Sequence, residues 1–272
     1  GVKMDLTNLN ELQRKAVLHN EGPCLVIAGA GSGKTKVLTT RIAYLINNGV
    51  NSHNILAITF TNKAAKEMRD RVSNLVADNY AFVGTFHSFG VRVLRENYEA
   101  LGLMRNFTIL DGDDVLSIIK KIMKDLDLNT KEYAPSYIRN KISFIKNEML
   151  SESEIEKYLA TPVEKVAVKV YHEYQNVLKR NNAVDFDDLL RLPVLLFENH
   201  EDILDRYQDH YQYILIDEYQ DTNEVQYKLV KKLASKYRNL FVVGDVNQSI
   251  YGFRWSNYKN ILNFEDDYPE AK

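Results

Sequence analysis

The sequence predicts an α/β fold: a parallel sheet flanked by helices, with an all-helical inserted subdomain. Short apolar, β-rich runs alternate with helical patterns through the first third of the chain, as successive βαβ units do. A glycine-rich stretch, "VIAGAGSGKT" (26–35), stands where an apolar run hands over to a helix. From about residue 113 to about 185 strand patterns cease and helical ones follow one another, before apolar runs return in "YILIDE" and "NLFVVGD".

Taken in order, "CLVIA" (24–28), "ILAITF" (55–60) and "AFVGTF" (81–86) read as buried strands, each followed by a helix beginning near Lys34, Asn62 and His87. "FTIL" (107–110) reads as a fourth strand ending at Asp111. The helical patterns are "DDVLSIIKKIMKDL", "PSYIRNKISFIKNEML", "SESEIEKYL" and "PVEKVAVKVYHEYQNVLKR". In the last, Val166, Val170, Tyr174 and Val177 form a stripe at helical spacing, and Pro162 suits a first turn after Thr161. "YILIDE" (213–218) and "NLFVVGD" (239–245) are then strands with a helix between them. The expected organisation is an α/β domain made of residues 1–112 and 186–272, interrupted by a helical insertion over 113–185. Repeats, low-complexity tracts and flexible linkers are absent from the sequence.

With 272 residues, 45% of them hydrophobic and 26% charged, the chain has the makeup of a globular protein that buries a substantial core. Its 35 basic and 37 acidic residues leave a formal charge of −2, so no global basic field marks a nucleic-acid partner. A local basic groove on a near-neutral protein stays open. The single cysteine, Cys24, excludes an internal disulfide framework and suits a reducing, cytoplasmic setting; its apolar neighbours make it a buried structural thiol. No apolar stretch approaches the ~20 residues of a membrane span, and no secretory pattern is present. Met4 reads as a natural start.

Glycine-rich turns let consecutive backbone N–H groups converge on an anion, and the helix that follows adds its dipole. The run Ala28-Gly29-Ala30-Gly31-Ser32-Gly33-Lys34-Thr35 fits the phosphate-loop pattern of P-loop NTPases except for alanine at its first position. These are the expected nucleotide-binding residues, with Lys34 reaching the β- and γ-phosphates and the Thr35 hydroxyl facing Mg²⁺. Such a loop needs an acidic partner at another strand tip, and "ILIDEYQD" supplies one. The economical assignment puts Asp217 on Mg²⁺ and makes Glu218 the group that positions and deprotonates the attacking water. Taken alone, the carboxylate pair reads equally as an acidic strand end facing solvent. ATP and Mg²⁺ are the expected cofactors.

The segments "AGAGSGKT", "TFTNKAAKEM", "TFHSF", "DFDDLL", "DEYQDTN" and "GDVNQSIYGFR" occur in this order over nearly the whole chain. In order and approximate spacing they resemble the superfamily 1 DNA helicases of the UvrD/Rep/PcrA group. The resemblance implies a RecA-like fold and an ATP-dependent 3′–5′ helicase or translocase acting on single-stranded DNA and 3′-tailed duplexes, in repair or replication. It makes Gln13, in "LNELQRKAV", the amide that reads the adenine edge. It places Gln248 near the γ-phosphate and gives Arg254 to the transferring phosphate. Single-stranded DNA is expected to meet Phe60, Thr61 and Asn62, Thr85, Phe86 and His87, and Tyr251 and Phe253. Hydroxyl and amide donors there suit phosphates, and rings suit bases; for Phe86, core packing is the rival reading. His87 has no second histidine at ligand spacing, which argues against a metal role. The acids of "DFDDLL" read as helix caps rather than catalysts.

Two departures qualify the likeness. The family's customary tryptophan falls at Phe253, whereas this chain's only tryptophan is Trp255, so the two compete as stacking residue. Asn247 replaces a customary aspartate. Family members continue into a second RecA-like domain, expected beyond Lys272, that completes the ATP cleft. The helicase subunit of a recombination helicase–nuclease and a DNA-binding P-loop module with little activity of its own are the alternative readings.

Overall fold

The computed structural model describes residues 15, 17–18, 22–27, 33–77, 79–245, 263–264 and 266–271. In chain order the elements begin with β1 (Cys24–Ile27), α1 (Lys34–Asn47), β2 (Ile55–Thr59), α2 (Asn62–Leu75), β3 (Phe82–Thr85) and α3 (Phe86–Glu96). There follow β4 (Thr108–Ile109), α4 (Gly112–Asp125), α5 (Pro135–Asn147), α6 (Glu152–Tyr158), α7 (Pro162–Arg180), β5 (Ala183–Val184) and α8 (Asp188–Asn199). The last are α9 (Glu201–His210), β6 (Tyr213–Ile216), α10 (Glu224–Ala234) and β7 (Asn239–Gly244). Two compact units result: Gly1–Phe89, His200–Thr222 and Gln226–Lys272 form one, and Gly90–Asn199 with Asn223–Val225 the other.

The first unit is built on a five-stranded sheet in the order β1-β7-β6-β2-β3, every pair parallel. Its strands are near-continuous apolar runs because helices cover both faces of such sheets. All of β2 is buried, and β7 is buried after its first residue. Val37, Leu38, Ile42 and Leu45 of α1 share a core with Ala57, Leu215, Phe241 and Val243 from the strands and Met68 and Val72 from α2. Cys24 lies in that core, and burial pushes its thiol up to about 11, the inert structural thiol expected. Because all five strands run the same way, every segment that follows a strand leaves from one edge of the sheet. In open parallel sheets that edge is where ligands bind.

The second unit is mainly helical. Capping boxes start α4 (Asp111 with Asp114), α6 (Ser151 with Glu154) and α7 (Thr161 with Glu164), and Pro162 sits in the first turn of α7. The buried face of α7 is Ala167, Val170, Tyr171, Tyr174 and Leu178, so the expected stripe is rotated: Val170 and Tyr174 stand at its centre, while Val166 and Val177 are only half-buried. "FTIL" contributes β4, which stays out of the large sheet and pairs with β5, Thr108 opposite Ala183. That small ladder and a cluster of Leu94, Phe107, Val184 and Leu189 belong with the helices. The compact unit therefore runs wider than 113–185.

Within it, two of the three "DFDDLL" acids, Asp185 and Asp188, are buried, and Asp187 is half-buried. Asp188 N–H donates to Asp185 Oδ1 (2.8 Å) and Asp185 N–H to Asp188 Oδ2 (3.2 Å), a reciprocal cap at the start of α8. The fully buried Lys146 ammonium donates to Asp185 (2.7 Å) and Asp188 (3.1 Å), and the Tyr174 hydroxyl donates to Asp185 (2.7 Å).

Candidate nucleotide-binding site

Gly33 ends the glycine-rich run at φ 113°, a left-handed conformation that favours glycine, and it is the N-cap of α1. Lys34 is thereby the first residue of α1 and is only 8% exposed. Its ammonium donates to Glu218 Oε1 at 3.1 Å and to Asp245 Oδ2 at 3.4 Å. These acceptors come from paired strands: Glu218 stands just beyond β6 and Asp245 directly beyond β7, whose other neighbour is β1. Thr35 follows in the first turn of α1, half-buried.

Glu218 is held at φ 49°, ψ 40°, turning the chain out of β6 into a 3-10 turn over Tyr219–Asp221. A left-handed residue that is not glycine costs about 1–2 kcal/mol, and such strain gathers at working sites. Gln220, fully buried, donates from Nε2 to Glu218 Oε2 (2.8 Å) and accepts at Oε1 from Asp245 N–H (2.9 Å). Lys34, Glu218, Gln220 and Asp245 thus close a ring of hydrogen bonds.

Asp217 is 7% exposed, and its Oδ1 is buried without a hydrogen-bond partner among the described residues. Burial pushes its carboxyl up to about 7; the Glu218 and Asp221 charges add to the rise and Lys34 opposes it. A buried carboxylate oxygen with no donor is costly unless a cation or proton meets it. Among the described residues, Asp217, Glu218 and Asp245, when fully ionised, outweigh the one charge of Lys34, a balance that favours a divalent ion with any triphosphate. The donor set fits Mg²⁺, which binds through one or two protein oxygens together with substrate phosphates. No group of three or more His, Cys, Asp or Glu among the described residues is arranged to hold a metal by itself.

Of the candidate DNA residues, Phe60, Thr61 and Asn62 follow β2, Thr85 ends β3, and Phe86 and His87 open α3, at the same sheet edge. Thr61 caps α2, accepting from Ala64 N–H at 3.1 Å; Thr61 and Asn62 are exposed and Phe60 half-buried. Thr85 is buried, and its hydroxyl accepts from Ser88 N–H at 3.1 Å. Phe86 corrects the expectation of a base-stacking ring: at 1% exposure it is core, meeting Phe60 edge-on at 5.4 Å. Opening α3 directly after β3 turns its ring inward beneath Phe60, whose own ring keeps the partial exposure a base requires. Burial holds the half-buried His87 imidazole down to about 4, so it is neutral near pH 7. Gln13, Ala28, Gly29, Ala30, Gly31, Ser32, Gln248, Tyr251, Phe253 and Arg254 lie outside the described residues. Sequence reading passed over Asp245 and Gln220. Asp245 had a signal, a carboxylate directly after an apolar strand, as Asp217 has.

A parallel α/β unit with a lysine opening the helix after β1, and carboxylates at the tips of the next two strands in the sheet, defines a phosphate-loop nucleotide-binding domain. A family model described as the UvrD/REP helicase N-terminal domain matches residues 9–269, and the chain belongs to that family. Over 269 residues it is 49% identical to the ATP-dependent DNA helicase PcrA of Staphylococcus aureus strain Mu50, covering 98% of this chain and 37% of the relative. Over 268 residues it is 50% identical to the protein of the same name from Staphylococcus epidermidis strain RP62A, covering 97% of this chain and 37% of that one. The chain spans 37% of the length of these curated relatives.

Proposed function

We propose that this chain is the ATP-binding first motor domain of an ATP-dependent helicase that translocates 3′ to 5′ on single-stranded DNA and opens 3′-tailed duplexes, in repair or replication. The observation that carries the reading is the meeting of Lys34 with Glu218 and Asp245, beside an Asp217 whose buried Oδ1 lacks a donor among the described residues. The family and the relatives' printed function support it. A cytoplasmic setting belongs to the same proposal. It is supported by the single, buried cysteine and by the absence, among the described residues, of any helix long and apolar enough to cross a membrane.

In this reading Thr35 and Asp217 hold Mg²⁺, which supplies charge neutralisation across the phosphates. Lys34 exchanges its carboxylate partners for phosphate oxygens, and Glu218 is left to orient the attacking water and accept its proton. Gln13, Gln248 and Arg254 join the site as adenine reader, phosphate sensor and transition-state cation, on the strength of their motifs. A second RecA-like domain closes the cleft. DNA lies along the ends of β2 and β3, where Thr61 and Asn62 offer polar groups and Phe60 a ring, with Thr85 and His87 beside them; Tyr251 and Phe253 join as DNA contacts on the strength of their motif. Phe86 supports Phe60 from below. Because β6 lies between β7 and β2 in the sheet, the carboxylates stand between the phosphate-loop strand and the DNA strands.

Glu218→Gln in the natural polypeptide tests the reading. The amide is nearly isosteric but cannot take the proton, so DNA-stimulated turnover should fall by roughly 10²–10⁴-fold while MgATP affinity is retained. Turnover within a few-fold of the parent removes Glu218 as base.

A further inference from the structure

We propose that Gln220 is a positioning residue: its side-chain amide fixes the orientation of the Glu218 carboxylate and ties it to the end of β7, coupling the base to the strand that leads into "VNQSIYGFR". The proposal rests on the reading of Glu218 as general base.

Two bonds define the role. Nε2 donates to Glu218 Oε2 at 2.8 Å, and Oε1 accepts from the backbone N–H of Asp245 at 2.9 Å. The amide orientation is fixed from both sides, because a carboxylate only accepts and a backbone N–H only donates. Gln220 is fully buried, so water does not replace either bond cheaply.

Glu218 has one other side-chain donor among the described residues, the Lys34 ammonium on Oε1. A triphosphate that draws Lys34 away leaves Gln220 as the group that still holds the carboxylate. The left-handed backbone of Glu218 sets where its side chain starts, and the amide sets where it ends. The other end of the amide sits on the first residue after β7. The motif residues Gln248, Tyr251 and Phe253 follow within the same segment of sequence. A displacement of that strand end alters the bond to Oε1 and, through a planar amide, the bond to the base.

The test is steady-state ATP hydrolysis by the natural polypeptide and its Glu218→Gln, Gln220→Met and Gln220→Glu variants, with and without a single-stranded oligonucleotide. Thermal unfolding monitors the fold. Gln220→Met keeps the length and removes both bonds; Gln220→Glu keeps the acceptor for Asp245 and sets a second carboxylate against Glu218. Misplacing a catalytic group by about an ångström costs roughly 10²-fold, so kcat should fall by about that factor in both while KM for MgATP changes less than about threefold. The ratio of DNA-stimulated to basal turnover should fall further in Gln220→Met than in Gln220→Glu. In a Glu218→Gln background Gln220→Met should cost almost nothing more, since residues acting through one another are not additive.

If Gln220→Met does not fold, Gln220→Glu carries the same kcat test. Hydrolysis within twofold of the parent in a folded Gln220 variant, with Glu218→Gln inactive, overturns the positioning role and leaves the base assignment standing. A Gln220→Met loss that multiplies in full onto Glu218→Gln overturns it as well. A parent without ATP hydrolysis, or an active Glu218→Gln, overturns the functional reading itself.

Discussion

A single carboxylate, Asp217, sets the resting electrostatics of the site. Its folded-state value, about 7, lies above its ordinary 3.8, so the folded protein binds this proton more tightly than the unfolded chain. The stability tied to it is complete below about pH 4 and is lost as pH rises through about 7, at most about 4 kcal/mol for a shift of this size. Asp217→Asn lacks that loss. In Mg²⁺-free buffer the variant should match the parent's Tm near pH 4 and exceed it by several degrees at pH 8. A Tm difference that does not change with pH would show that the buried charge is compensated. Mg²⁺ with nucleotide should stabilise the parent more than the variant. At this scale the sequence was partly readable. Lys34, Asp217 and Glu218 stood out because a phosphate loop and an acidic strand tip imply each other. Gln220 did not, because a glutamine's worth here is the pair of groups its amide spans, and both are set by the pairing of β6 with β7. Phe86 reads the same as Phe60 in sequence; only the inward turn of the first residue of α3 distinguishes core from rim.

The elements were the most legible level. Strands buried on both faces are apolar throughout, so β1, β2, β3, β6 and β7 fall within "CLVIA", "ILAITF", "AFVGTF", "YILIDE" and "NLFVVGD". The strand β5 went unseen because two residues, Ala183 and Val184, carry no periodicity; they are a strand because β4 lies beside them. Sequence spacing sets the α7 stripe a step away from its axis because Val166 and Val177 are as apolar as the buried residues and differ only in being half-buried. The acids that begin α8 lead to a prediction. Burial pushes Asp188 up to about 6 against the pull of Lys146, whereas Asp185, also buried, is held below its ordinary value by Lys146. Lys146→Met would leave both carboxylates uncompensated, and removing one partner of a buried ion pair costs about 3–5 kcal/mol. Urea unfolding at pH 8 should show that loss, and at pH 5.5 a smaller one as Asp188 takes up a proton. Adding Asp188→Asn should return part of the stability at pH 8. An unchanged midpoint in Lys146→Met would mean that water reaches these acids.

At the scale of the molecule, the first unit assembles the candidate nucleotide site from strands distant in sequence, and the proposed motor would take its remaining charges from a second wall. A polypeptide limited to these 272 residues should fold, bind MgATP weakly, and turn it over slowly with little response to single strands. Arginine fingers that arrive from an opposing surface are worth about 10³–10⁵ in rate. Robust DNA-stimulated turnover by that polypeptide would show that its own residues complete the site. The sheet order also governs synthesis. Among the described strands β1 has a single neighbour, β7, and the bond from Gly22 N–H to the Asn239 side chain joins residues 217 apart. At about 5–20 residues per second, the strand that leads to the phosphate loop waits about ten to forty seconds on the ribosome for β7, the strand it pairs with. The β2–β3 pair and the Gly90–Asn199 stretch of the helical unit have their partners well before then. A nascent chain interrupted before β7 therefore carries every residue of the loop while the strand before it, β1, still lacks its β7 partner, and ATP cannot rescue it.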